Sequence, residues 1–140
     1  MDPNKEMKPL SLKGYKRTFN VKPMRANPTT EIAYVGAISN PDFKMNGALV
    51  ELNDEEFRKL MVREISYEPE KVSAVLSKEQ AEVDAWLFLP SSSFMSNDLH
   101  PNPDYLKRCR EGAKDFGTEF LQEWDDSTFH ADGRTVSKLV

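Results

Sequence analysis

The chain is poor in the residues from which most reactive centres are built. It has one cysteine, Cys109, and two histidines, His100 and His130, among 140 residues. One cysteine excludes an internal disulfide and fits a reducing compartment. Cys109 falls in a helical pattern, which predicts a packed thiol rather than a nucleophile. The histidines are far apart, with no Cys or His at ligand spacing, so no metal site is expected. No apolar run approaches the roughly 18 residues of a membrane-spanning helix. No signal-peptide pattern opens the sequence, so the expected location is cytoplasmic. Glycine-rich phosphate motifs of the G-x-x-x-x-G-K-S/T or G-x-G-x-x-G kind are missing. The run Ser91–Ser93 has no base at fixed spacing, which gives a serine nucleophile no support.

What is present is charge. The 23 acidic and 19 basic residues give a net charge of -4, with no basic block to attract nucleic acid. Lys13, Lys16 and Arg17 alternate with Tyr15 and Phe19, which reads as a strand with one wet side. The length suits one domain, 1–140, with a core of its own. Residues 1–9 read as a flexible lead-in and 125–140 as a tail or short extension.

Apolar periodicity outlines the elements. Leu10–Val21 alternates well enough for a strand, with Gly14 at a bulge or kink. Ile32–Ile38 reads as a strand buried on both faces and ended by Asn40 and Pro41. The stretch Phe43–Val75 is the organising segment. Within it, Asn46–Leu52 (NGALVEL) is an apolar run, and Asn53 can cap a helix whose first turn is Asp54, Glu55 and Glu56. Phe57, Leu60 and Met61 give that helix an apolar face. Glu64 follows the helix, and Tyr67 precedes a strand through Val72, Ala74 and Val75. Ser77–Glu82 reads as a turn and Val83–Leu89 as a strand closed by Pro90. The spacing from Asp104 to Trp124 predicts a helix interrupted by Gly112 and Gly117: either a kink or two helices, with Gly117 as a C-cap.

A carboxylate leaving a helix for a strand is well placed to enter a sheet cavity, where burial would raise its pKa and suit it to proton transfer. By composition alone Glu64 is one of many surface acids. Several blocks together, however, resemble the gamma-glutamylcyclotransferase family. They are NGALVEL; Leu60-x-x-x-Glu64 followed by Tyr67 and a V-x-x-V strand; LKGYKRTFN over 12–20; and NPDYLKRCREGAKDFG over 102–117. The resemblance implies an α+β fold, a small mixed β-barrel-like sheet with flanking helices. It implies conversion of a gamma-glutamyl amine or peptide to 5-oxoproline and free amine or amino acid. Glu64 would be the acid/base, and Tyr105, Tyr67 and Trp86 would contact the substrate. Trp86 serves equally well as core. The family's Y-G-S-L strand and loop does not occur here. That implies a chain truncated relative to the family, another way of supplying that strand and loop, or a barrel that has lost the activity and only binds small molecules or proteins. An unpaired edge would then favour a homodimer.

Overall fold

The computed structural model describes residues 6–21, 32–63, 67–90, 100–101, 103–130 and 133–138. Their elements run β1 (Met7–Val21), β2 (Ile32–Val50), α1 (Asp54–Arg63), β3 (Tyr67–Leu76), β4 (Glu82–Pro90), β5 (His100–Pro101), α2 (Pro103–Lys114), α3 (Thr118–Asp126) and β6 (Thr128–Phe129), then a 3₁₀ turn at Val136–Lys138. The strands form one mixed sheet in the order β4-β3-β1-β2-β5, with β6 added beside β1. β1 pairs antiparallel with β2 and β3, and β3 with β4; the β1–β6 and β2–β5 pairs are parallel. The fold class is α+β, as the sequence predicts. Among the described residues the sheet curls without closing, so it is barrel-like only loosely.

The long β1–β2 pair shows how local sequence shapes the sheet. Register breaks between Lys13, opposite Lys44, and Tyr15, opposite Ser39. Gly14 sits there at φ 89°, a conformation that glycine adopts without a Cβ clash. The bulge anticipated at Gly14 is therefore present. On β2 the chain skips past Asn40–Phe43, which are out of register. Asn40 and Pro41 do not end the strand as expected, because the excursion rejoins the same partner. The other edge of β1 is shared: Leu10 and Ser11 pair with β3, whereas Arg17 and Thr18 pair with β6.

The apolar residues collect in two clusters. One, inside the curl, joins Leu10, Leu12, Ala37, Met45 and Ala74. The other joins Phe19, Ala113, Trp124 and Val136 beneath α2 and α3. Phe19 and Val136 are completely buried, each removing apolar area worth about 1.5–3 kcal/mol. The stretch after Trp124, expected as a tail or a short extension, supplies the end of α3, β6 and a core valine. Met7–Pro9, expected in the lead-in, belong to β1.

Of the two outcomes foreseen for Asp104–Trp124, the helix breaks in two. Gly117, at φ 107°, holds a backbone region close to glycine-only. It is the N-cap residue of α3 rather than the C-cap of α2. A bidentate Arg110–Asp125 pair, with both contacts at 3.0 Å, ties the two helices together.

Candidate functional site

α1 begins where its sequence says it should. Asn53 Oδ1 accepts from the Glu56 N–H at 2.8 Å, and Glu56 Oε1 accepts from the Asn53 N–H at 3.1 Å. This reciprocal pair satisfies two donors of the first turn. Three acidic side chains there favour the positive helix end. Phe57 and Leu60 turn inward. Met61, expected on the same face, is 42% exposed, and Val62 is 77% exposed. The apolar stripe is narrower than predicted: Phe57 and Leu60 line a cavity beside the sheet, and Met61 and Val62 do not.

Between α1 and the curled sheet lies a cavity of about 840 Å³. Its walls are mostly apolar: Leu10 and Leu12 from β1, Met45 from β2, Val72 from β3, and Leu87 from β4. Phe57 stands 6.1 Å from the Trp86 ring and 6.0 Å from Phe88. An apolar, concave lining with a few buried polar groups is the usual form of a small-molecule site.

The buried polar groups at this cavity are Arg17 and Asn46, 8% and 2% exposed, while Glu51, Asn53 and Asp84 line its exposed margin. Arg17 Nη1 donates to Asn46 Oδ1 at 3.2 Å and Thr128 Oγ1 at 3.1 Å. Its contact with Ser127 Oγ is longer, at 3.5 Å. Arg17 Nη2 donates to the Asn46 carbonyl. The guanidinium also lies 5.3 Å from the centre of the Trp124 ring, within cation–π range. Asn46 Nδ2 donates to the Phe120 carbonyl at 2.9 Å, and Thr128 Oγ1 donates to the Trp124 carbonyl at 2.6 Å. Both acceptors are carbonyls of α3, and Trp124 lies in its last turn, where the negative dipole end favours a cation. Burial nonetheless pushes Arg17 down to about 10, opposed by Cys109 and Glu123. The group remains charged at neutral pH.

Arg17 is the functional candidate that the sequence reading missed, since it was assigned to a wet strand face. The available signal was Gly14, directly before Tyr15. Leu10 and Leu12 are even-numbered, Arg17 odd-numbered, yet all three line one cavity. A bulge changes which parity faces a given side, and Gly14 makes that change. The supposed basic face is accordingly dispersed. Arg17 is buried, and Lys16 Nζ sits over the Phe43 and Phe129 rings at 4.9 and 4.5 Å.

The predicted site residues are distributed as follows. Glu64 lies outside the described residues; in sequence it is the next residue after α1. Trp86 lines the cavity and is 55% exposed. Tyr67 is half-buried at the start of β3, paired with Pro90. Tyr105 is half-buried in the cluster under α2, with its ring edge-on to Phe19 at 6.4 Å. It is not among the residues lining the 840 Å³ cavity. Cys109 is packed as expected: burial pushes its thiol up, against a lowering hydrogen bond from Tyr105 and the charge of Arg17. Among the described residues no group of three or more His, Cys, Asp or Glu side chains could hold a metal ion. No helix among them is long and apolar enough to cross a membrane.

No protein-family model matches the sequence, and no curated protein matches it significantly. Solved structures do match. A protein described as gamma-glutamyl cyclotransferase superposes with a TM-score of 0.70 at 18% identity, over 88% of this chain and 75% of that one. The crystal structure of an uncharacterized protein from Homo sapiens gives 0.72 at 18% identity, with the same coverage. A solution structure from Arabidopsis thaliana gives 0.52 at 18% identity, over 82% of this chain and 72% of that one. On this architecture, the chain has a gamma-glutamyl cyclotransferase-like fold.

Proposed function

We propose that the protein is a gamma-glutamylcyclotransferase-like enzyme with Glu64 as its acid/base. The observation carrying this reading is a cavity in a cyclotransferase-like fold, one wall of which is α1, the helix that runs in sequence directly into Glu64. In the reaction, the α-amine of a gamma-glutamyl group attacks its own gamma-carbonyl. The new C–N bond closes 5-oxoproline, and the old C–N bond breaks to release the amine. One proton leaves the attacking nitrogen and one reaches the leaving nitrogen, so a single carboxylate can accept the first and return it as the second. No metal or cofactor is needed. Trp86, with Phe57 beside it, is the aromatic surface suited to the substrate's hydrocarbon part. Tyr67 and Tyr105 enter as substrate contacts through the sequence resemblance.

The test is to incubate the protein with gamma-glutamyl dipeptides, gamma-glutamylamines and glutathione and to measure 5-oxoproline. Glu64→Gln keeps the side-chain shape and removes the titrating group. It should abolish product while circular dichroism stays unchanged. Equal turnover by wild type and variant would show that Glu64 is not the acid/base.

A second reading is favoured by β4, an outer strand of the sheet that carries the exposed Trp86 next to α1 with its exposed Met61 and Val62. On that reading the domain is a non-catalytic interaction module that pairs through this edge as a homodimer. Light scattering behind size exclusion at several concentrations separates the two. A strict monomer that forms 5-oxoproline is the enzyme alone.

A further inference from the structure

Arg17 is a buried cation that, among the described residues, forms no ion pair. Its acceptors are an amide oxygen, a backbone carbonyl and two hydroxyls, all neutral. Glu123 acts on it only at longer range. A guanidinium has five N–H donors in a planar fork. Nη1 spends its two on Asn46 and Thr128, with Ser127 a longer contact, and Nη2 spends one on the Asn46 carbonyl. Nε–H and the second Nη2–H donate to no described residue. Both are fixed in direction, because Asn46 holds the other side of the fork and Trp124 lies against the guanidinium.

An unpaired buried charge is costly, and the cost falls when a counter-charge of fitting geometry arrives. The two remaining donors match the two oxygens of a carboxylate. Arg17 also lines a cavity large enough for a small molecule. We propose that Arg17 is the carboxylate anchor of this cavity, taking a small carboxylate-bearing ligand side-on through Nε–H and Nη2–H. The apolar walls then hold the ligand's hydrocarbon part, with Phe57 and Trp86 closing over it. The proposal rests on the cyclotransferase reading only for its preferred ligand, 5-oxoproline, whose carboxylate is not consumed in the reaction.

The experiment observes the Arg17 Nε–H signal directly by nitrogen-correlated NMR on the intact protein, assigned through its loss in Arg17→Lys. Four probes are titrated: 5-oxoproline, acetate, and the neutral amides of both. The proposal expects the acids to shift this signal saturably and the matching amides to bind at least about tenfold more weakly, the discrimination typical of a charge-assisted pair. Arg17→Lys, which lacks this signal and is followed instead by the backbone amide shifts of β1 residues beside the cavity, should lose that discrimination, with its fold verified by unchanged amide signals in the Phe19–Val136 cluster. If acetate binds in this way and 5-oxoproline does not, the anchor stands and the cyclotransferase reading fails. If acids and amides bind alike, if no probe moves the signal, or if Arg17→Lys still prefers acids, the proposal is wrong. The wild-type comparison of acid with amide is decisive even if the variant does not fold.

Discussion

The Arg110–Asp125 pair offers a sharp test of how the two helices are held. Asp125 is 5% exposed, while the Arg110 side chain is 32% exposed. Arg110→Ala removes the accessible partner and strands the buried one. For a fully buried pair, such a deletion costs about 3–5 kcal/mol; for an exposed pair it costs under about 1 kcal/mol. With one partner at the surface, about 2 kcal/mol is expected. Unfolding entropy near 2.1 cal/mol/K per residue gives about 0.3 kcal/mol/K for a chain of this length, so Tm should fall by about 7 °C. Asp125→Asn keeps the shape and part of the hydrogen bonding. The double variant should be closer to Asp125→Asn than to the sum of the two, with a coupling of about 1–2 kcal/mol. Urea melts followed by tryptophan fluorescence measure this, since Trp124 precedes Asp125 directly. A loss below about 0.5 kcal/mol for Arg110→Ala, or zero coupling, would refute the claim that this pair clamps α2 to α3.

Two further outcomes are expected. Gly36→Ala would set a Cβ 2.7 Å from Asn20 Oδ1, Pro90 Cγ and Val21 Cγ2 alike; it should cost about 1–3 kcal/mol of overpacking, read from the denaturation midpoint. The Tyr15 hydroxyl donates to Glu70 Oε2, and chiefly this bond, with burial second, raises its pKa above 10.0. A phenol whose folded pKa is raised adds stability that is complete below the unfolded value and is lost as pH climbs through the folded one. Stability should therefore fall above about pH 10 in the wild type and less steeply in Tyr15→Phe, as followed by melts across alkaline pH.

The parts of the fold legible in the sequence were those set by neighbours along the chain. Asn53 and its acidic first turn specify the start of α1 without outside help. Gly14 and Gly117 mark positions where a Cβ would be strained, and both hold positive φ. Short-range alternation also located β1, β3 and β4. The misread parts were decided at a distance. Arg17 looks like a surface residue until the bulge turns it inward and Thr128 arrives from the other end of the chain. The stretch past Trp124 is polar on average, yet Asp125, Thr128 and Val136 within it are buried. Averages over a window cannot show one buried side chain. Met61 looks like core by spacing but is exposed. As for the candidate site, the sequence pointed to α1 and Trp86, both of which border the cavity. Its buried polar groups needed three dimensions.

The β1–β6 pairing also fixes an order of events. Arg17 and Thr128 are separated by 111 positions, and chain synthesis delivers them at very different times. While β1 is emerging, its Arg17 half can join β2 but has nothing on the opposite side. The guanidinium stays in water, and the strand edge beside it stays open. Closing so long a loop costs entropy that only the finished contacts repay. The cavity therefore acquires its buried charge only when Ser127 and Thr128 dock. A nascent chain still short of that segment has the curled sheet but no enclosed cation.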